Sequence, residues 1–383
     1  MRDFTFFNPT RIEFGKGKEN QIGNYVREFN TGSALIIYGS ERVGQNGLLD
    51  RVTSSLKLQG VTCEAMSGVV SNPKLSFVKE AIRVVKEKHF EAVVAVGGGS
   101  VLDSAKAVAA GAKYEGDVWD FFINKAVVQD ALSVFSVMTL AATGSEMNAY
   151  GVITNEETRQ KYPIYSPLLY PKVSVINPDL MATVSNAYLA YSAADIFAHL
   201  LDLYFTADHL PRYNAGLIEV LLQRVKETTD LLLKNPHDYD ARGEFAWAST
   251  MALNGNTFVG VAGNSFDTHM VEHAMSALYN VAHGAGLAVV LPAWMRWYKK
   301  NRPERFERFA EQIFGVKDAD KGIEKLRDWF VSIGAPVTLE DLGIPESGID
   351  ALADNAYDLA QNWNMAGVYS RDSIVSILKL ALQ

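Results

Sequence analysis

The sequence predicts two domains of different class: an α/β domain with a Rossmann-like parallel sheet over residues 1–182, and an all-α domain over residues 183–383. Three observations predict this. Short apolar runs of strand length alternate with helical patterns through the first part of the chain. A run of three glycines follows one of those strands directly. Beyond Pro178 the pattern changes to long helical periods with Gly and Pro punctuation and few β-branched runs.

Taken in order, Phe4–Phe7 and Arg11–Phe14 flank Asn8-Pro9 and read as a strand pair. Ala34–Tyr38 is a buried strand ending at Gly39. Residues 46–58 read as a helix, and Val61–Ala65 as a strand that carries Cys63 in a packing role. Asn72-Pro73 precedes a helix over Leu75–Lys88. Glu91–Val96 is the next buried strand, followed by Gly97, Gly98, Gly99 and Ser100 and a helix over 100–112. Ser133–Val137 is a further strand. Alternation of this kind requires a parallel sheet with helices on its faces. The boundary falls around residues 176–183. Helices are then expected at 186–206, 212–234, 241–258, 265–279, 284–298, 303–314, 319–333, 347–360 and 370–382.

Composition excludes several classes of function. The 383 residues are 48% hydrophobic and 21% charged, with a net charge of −8 and no long basic stripe, so nucleic acid is not an expected partner. The single cysteine cannot form an internal disulfide, which fits a reducing cytoplasm. Met1-Arg2-Asp3 puts charges where a secretory signal needs an apolar core. No run of about 20 uninterrupted apolar residues exists. The nearest, from Leu287, is broken by Pro292, so no membrane partner is expected.

Asp195 and His199 are four apart in a strongly apolar helical stretch and share one face. His269, His273 and His283 fall in one short window, although the chain has seven histidines in all. A carboxylate in so apolar a segment needs a partner. One Asp with three His suits Fe(II) or Zn(II). The plainer readings are an Asp–His hydrogen bond within one helix, surface histidines at 269 and 273, and a cap histidine at 283. His269-Met-Val-Glu272-His273 also matches the H-x-x-E-H pattern of inverted zinc peptidases, with Glu272 as base.

Ser100-Val-Leu-Asp103 reads as a capping box, and the glycines before it allow backbone N–H groups to approach a pyrophosphate. The spacing is neither a P-loop nor the usual G-x-G-x-x-G. The plainer reading is a tight strand-to-helix turn. Thr139 and Thr143-Gly144-Ser145-Glu146 follow the next strand, where hydroxyls suit sugar or phosphate contacts.

Together, Gly97-Gly98-Gly99-Ser100 with Asp103 and Lys106, Thr143–Glu146, Asp195-x3-His199, His269-x3-His273 and His283 resemble the iron-containing alcohol dehydrogenase family along essentially the whole chain. Asp267–His273 and the run from Leu287 to Ala293 look most like its butanol dehydrogenase and NADPH-dependent aldehyde reductase branch. The resemblance implies a dinucleotide-binding domain, a dehydroquinate synthase-like helical metal-binding domain, and an active site in the cleft between them. It places the metal ligands on Asp195, His199, His269 and His283, and a non-ligating histidine beside substrate and nicotinamide on His273. It places nucleotide contacts on Asn72, Gly97–Ser100, Thr139, Thr143, Val152 and Lys161. NAD-preferring relatives carry an Asp where this chain has Gly39, followed by Ser40, Glu41 and Arg42. Without the acid, a 2′-phosphate meets less repulsion, and Ser40 and Arg42 are able to bond to it. The expectation is NADP(H) ahead of NAD(H), a divalent metal, a small aldehyde or primary alcohol as substrate, and a homodimer formed through the N-terminal strand pair. The alternatives are a zinc metallohydrolase and a glycerol-dehydrogenase-like enzyme on the same fold.

Overall fold

Six strands form one parallel sheet, in the spatial order Arg11–Phe14, Val173–Ile176, Ser133–Met138, Ala92–Gly97, Ser33–Tyr38 and Thr62–Ser67. A computed structural model describes residues 1–39, 42–45 and 47–383. Its backbone divides into two units, one of residues 7–183 and one of residues 1–6 with 184–383.

In the first unit the chain runs β1 (Arg11–Phe14), α1 (Ile22–Glu28), β2 (Ser33–Tyr38), α2 (Arg42–Gln45), α3 (Leu48–Leu58), β3 (Thr62–Ser67) and α4 (Leu75–Lys88). It continues with β4 (Ala92–Gly97), α5 (Gly99–Gly111), α6 (Trp119–Phe122), β5 (Ser133–Met138), the hairpin β6 (Tyr150–Asn155) and β7 (Gln160–Tyr165), and β8 (Val173–Ile176). Strand β4 lies inside the sheet and is buried along its whole length, which is why Ala-Val-Val-Ala-Val is apolar without alternation. From β2 the chain moves outward to β3, then returns to β4 on the other side of β2. That reversal opens a switch point between the carboxyl ends of β2 and β4, the place where open α/β sheets bind ligands.

The second unit is helical: α7 (Asn186–Thr206), α8 (Arg212–Lys234), α9 (Tyr239–Ala252), α10 (Asp267–Tyr279), α11 (His283–Tyr298), α12 (Pro303–Phe314), α13 (Ala319–Ser332), α14 (Ile349–Asn362) and α15 (Arg371–Leu380). Ser185 starts α7 by accepting the Tyr188 N–H at 3.3 Å. Helix α7 is apolar almost all round because it is buried almost all round. No described helix is long and apolar enough to cross a membrane.

Three expectations are corrected. Phe4–Phe7 forms no strand, and β1 instead pairs in parallel with β8. The Asn8 side chain turns the chain here, accepting Thr10 N–H at 3.2 Å and donating to Met147 O at 2.8 Å. The helix expected at 241–258 stops at Ala252, because Asn254 caps the next turn at Asn256 and Gly255 takes a left-handed φ of 95°. The hairpin β6–β7 and strand β8 were not foreseen. The capping box also fails: Gly98 is the N-cap of α5, Ser100 lies within the helix, and Asp103 bonds elsewhere.

Candidate metal centre and nucleotide face

Helix α7 carries Asp195 and His199 on one face, α10 carries His269 and His273, and His283 opens α11. The three elements bring three imidazole nitrogens to one carboxylate oxygen. Asp195 Oδ1 lies 3.5 Å from His199 Nε2, 3.7 Å from His269 Nε2 and 3.7 Å from His283 Nε2. The His199 and His269 rings stack at 4.7 Å, and His283 sits 5.3 Å from His269.

Glycine makes the approach of α11 possible. A Cβ on Gly284 would stand 2.0 Å from the Tyr191 carbonyl oxygen, so α11 begins in direct contact with the α7 backbone, one turn before Asp195. A Cβ on Gly286 would run into the Glu272 side chain at 2.7 Å. His283 therefore reaches Asp195, and Glu272 fits behind it.

His269 and His283 are each held from behind by a buried carboxylate. His269 Nδ1 lies 2.8 Å from Asp202 Oδ2, and Asp202 also accepts the Thr268 N–H at 3.1 Å and the Thr268 hydroxyl at 2.9 Å. His283 Nδ1 bonds Glu272, which also accepts the Ser276 hydroxyl. Both acids are wholly buried. Such bonds keep the proton on Nδ1 and turn the Nε2 lone pair inward. Beyond them, Asp267 accepts hydroxyls from Ser265 and Tyr369, and Trp294 donates to Tyr369 at 2.8 Å. Burial, with Asp202 nearby, pushes the Asp267 carboxyl up to about 7.

A divalent cation fits this donor set. Asp195 Oδ1 and His269 Nε2 are buried and have no hydrogen-bond partner, which is costly unless something else meets them. Donors about 2.0–2.2 Å from a shared tetrahedral ion stand about 3.4 Å apart, close to the 3.5–3.7 Å between Asp195 Oδ1 and each imidazole nitrogen, and the ligand atoms of Asp195, His199 and His269 all lie within 4.8 Å of one another. The electrostatics agree. Burial would raise Asp195, yet His199, His283 and His269 hold it well below the usual carboxylate range. Burial drives His199 down to about 3 in spite of Asp195. It also lowers His269, but Asp195 and Asp202 outweigh that and raise it to about 9. The Asp195 carboxylate thus demands a positive charge, which a proton on His269 meets at neutral pH and which a bound divalent cation would supply in its place. His273 is buried beside this set, with its ring 5.6 Å from His283 and edge-on to Trp363 at 5.7 Å.

In the first unit several of the expected nucleotide residues meet beyond the carboxyl ends of β4 and β5. Gly97 accepts the Thr139 N–H at 3.0 Å. A Cβ on Gly99 would stand 2.5 Å from the Thr143 side chain, and one on Gly97 would strike Val101 at 2.4 Å. Close packing therefore accounts for part of the glycine requirement. Among the described residues no side chain caps the start of α5. Asp103 accepts the Ser145 hydroxyl at 2.7 Å and the Val152 N–H at 3.0 Å. Lys161 donates to Asn72 at 3.0 Å, and both are buried. Gly39 ends β2, and a Cβ there would lie 3.0 Å from Val69 O and 3.6 Å from Val101. Ser40 and Glu41 lie outside the described residues, as does the Arg42 side chain. Asp202 was missed in the sequence, although an acid seven residues after Asp195 returns to the same helix face.

The model of the iron-containing alcohol dehydrogenase family matches residues 9–178, and that of its C-terminal part matches residues 189–382. The chain belongs to the iron-containing alcohol dehydrogenase family. As an iron-containing alcohol dehydrogenase it is an oxidoreductase that works with a metal and a nicotinamide nucleotide. It is 37% identical to probable NADH-dependent butanol dehydrogenase 1 of Bacillus subtilis, each covered in full. It is 32% identical to the NADPH-dependent aldehyde reductase YqhD of Escherichia coli, over 92% of each chain. The crystal structure of NADH-dependent butanol dehydrogenase A from Thermotoga maritima superposes with a TM-score of 0.97 at 44% identity, covering 100% of this chain and 99% of that one. The metallohydrolase alternative has no support: the Glu272 carboxylate is committed to His283 and Ser276.

Two outcomes follow from this geometry. Glu272→Gln is expected to weaken metal binding about 10–100-fold, because the ligand loses its orienting acid; chelator competition measures this, and unchanged affinity would return Glu272 to a packing role. Gly284→Ala is expected to cost about 1–3 kcal/mol by overpacking α11 on α7, read by thermal unfolding, together with loss of bound metal.

Proposed function

We propose that this alcohol dehydrogenase interconverts small aldehydes and primary alcohols, working at Asp195, His199, His269 and His283 with the nucleotide held by residues 7–183. The convergence of three imidazole nitrogens on one buried, unpaired Asp195 oxygen carries the reading. When bound, the cation supplies Lewis acidity to the substrate oxygen and the nicotinamide supplies or accepts the hydride. The chain does the rest. Asp195 and the three histidines hold the cation, while Asp202 and Glu272 fix two of the rings. His273, one turn beyond His269, moves a proton to or from the substrate oxygen. The first turns of α5, with Thr139, Thr143 and Val152, bind the phosphates and the nicotinamide riboside. The apolar setting of the ligand helices excludes water and favours an uncharged substrate.

The nucleotide preference is the finer part of the reading. Gly39 places no carboxylate after β2, which favours NADPH. The butanol dehydrogenases at 33–37% identity are named for NADH, which weighs the other way. The ratio of kcat/KM with the two nucleotides decides: a ratio favouring NADPH supports Gly39 as a determinant, and one favouring NADH assigns the choice to other residues. Gly39→Asp is expected to shift the ratio towards NADH. Because a Cβ at 39 already crowds Val69 O, Gly39→Ala serves as the control for the steric effect alone.

We also propose a cytoplasmic homodimer. Phe4, Phe6 and Phe7 are exposed in the monomer, and large apolar side chains gathered at the surface favour a partner. Light scattering tests this, and a monomeric mass would refute it.

The reading as a whole is tested with His283→Ala. This variant is expected to lose bound metal and turnover while nucleotide binding survives. Full turnover in metal-free His283→Ala protein would overturn the Lewis-acid role.

A further inference from the structure

Helix α10 starts without a side-chain cap from its own N-cap residue, Phe266. Other elements fix its first turn. From α7, Asp202 accepts the Thr268 N–H at 3.1 Å, and Thr206 Oγ1 accepts the Ser265 N–H at 3.0 Å. From α11, Trp294 Nε1 donates to the Tyr369 hydroxyl at 2.8 Å. That hydroxyl in turn donates to Asp267, which also accepts the Ser265 hydroxyl. Tyr369 belongs to the link between α14 and α15, one residue before the Ser370 cap. Its N–H donates to Met365 O at 3.0 Å, and its ring lies 5.5 Å from that of Trp297 on α11. Trp294, Tyr369 and Asp267 are all buried. Phe at 369 would satisfy packing alone; the hydroxyl adds one accepted and one donated bond in the core. Burial, with the Asp267 charge beside it, pushes the phenol far above its ordinary value, so it stays a donor.

Helices α10 and α11 are joined only by residues 280–282 and run back along one another. Glu272 meets His283 at one end of the pair, and Asp267 meets Trp294 through Tyr369 at the other. His269 stands between the two ties, two residues after Asp267 and three before Glu272. We propose that Tyr369 is a positioning residue for the metal centre: its hydroxyl bridges Asp267 on α10 to Trp294 on α11, and so sets the spacing of the helices that bring His269 and His283 to Asp195. This rests on the reading that those residues hold a divalent cation. With the hydroxyl gone, Asp267 keeps only the Ser265 hydroxyl, and the Trp294 N–H is left buried without its acceptor. The two helices then relax at that end. His269 keeps Asp202 behind it, so the site is loosened and not lost. A cation tolerates little of this, because its donors must sit within about 0.2 Å of their ideal distances.

Co(II) is the probe, added to metal-free full-length protein. Chelator competition gives its Kd, and its d–d absorption reports the ligand geometry. Tyr369→Phe is expected to raise the Co(II) Kd about tenfold, the lower end for groups that orient ligands, and to shift the d–d bands. A residue that only packs would lower the unfolding temperature of the metal-free protein and leave the Co(II) Kd and spectrum as in wild type; that result overturns the proposal. Asp267→Ala removes the other end of the bridge and is expected to weaken Co(II) binding in the same direction. If Tyr369 acts through Asp267, adding Tyr369→Phe to Asp267→Ala raises the Kd by less than about twofold more. Losses that multiply in the double variant overturn the bridge. If Tyr369→Phe does not fold, Asp267→Ala alone decides, and an unchanged Kd and spectrum overturns the proposal. Wild-type protein that binds no Co(II), or binds it no better than His283→Ala, removes the metal reading itself, a result separable from the others.

Discussion

A carboxylate oxygen that is buried, ionised and unbonded is the constraint on which the helical unit depends. Asp195 Oδ1 has no hydrogen bond, and yet three imidazoles hold its pKa low. A group of this kind survives only where a positive charge replaces water. The surrounding architecture follows from that demand. Helix α7 supplies two donors from one face, α10 and α11 each supply one, and two further acids aim the second pair of rings. Glycines at 284 and 286 remove the Cβ atoms that would keep α11 away.

The nucleotide face is built on a different principle. There the chain offers backbone and hydroxyls, and precision comes from how tightly loops are pinned to the sheet ends. Glycines 97 and 99 let the first turn of α5 press on its neighbours. Charges buried at Lys106 and Asp103 then fix the following loop and hairpin. Such pinning matters wherever a reactant is to be held, because a misplacement of about 1 Å carries a large penalty in rate.

Much of this was legible in the sequence because the signals were periodic. Long helices such as 186–206 and 212–234 came out with the observed bounds, since apolar spacing and flanking Ser or Pro mark their ends. The candidate ligands stood out as polar residues in apolar helices. What escaped was non-local. Asp202 looked like one more buried acid until His269, from another helix, stood 2.8 Å away. The glycines read as a phosphate loop with a Ser100–Asp103 cap. Instead Asp103 reaches Ser145 and Val152, contacts that local pattern does not encode. The Phe4–Phe7 strand was mistaken because alternating aromatic residues satisfy the strand pattern without any partner in the chain. The step of nucleotide choice rests on residues 39–42, of which the described structure fixes chiefly Gly39.

Anomalous X-ray diffraction from crystals of the purified protein tests the proposed metal centre most directly. One divalent transition-metal peak per chain is expected, about 2.0–2.2 Å from Asp195 Oδ1 and from the Nε2 atoms of His199, His269 and His283. A fully active crystal form with no anomalous peak there, or with the metal bound elsewhere, would contradict it.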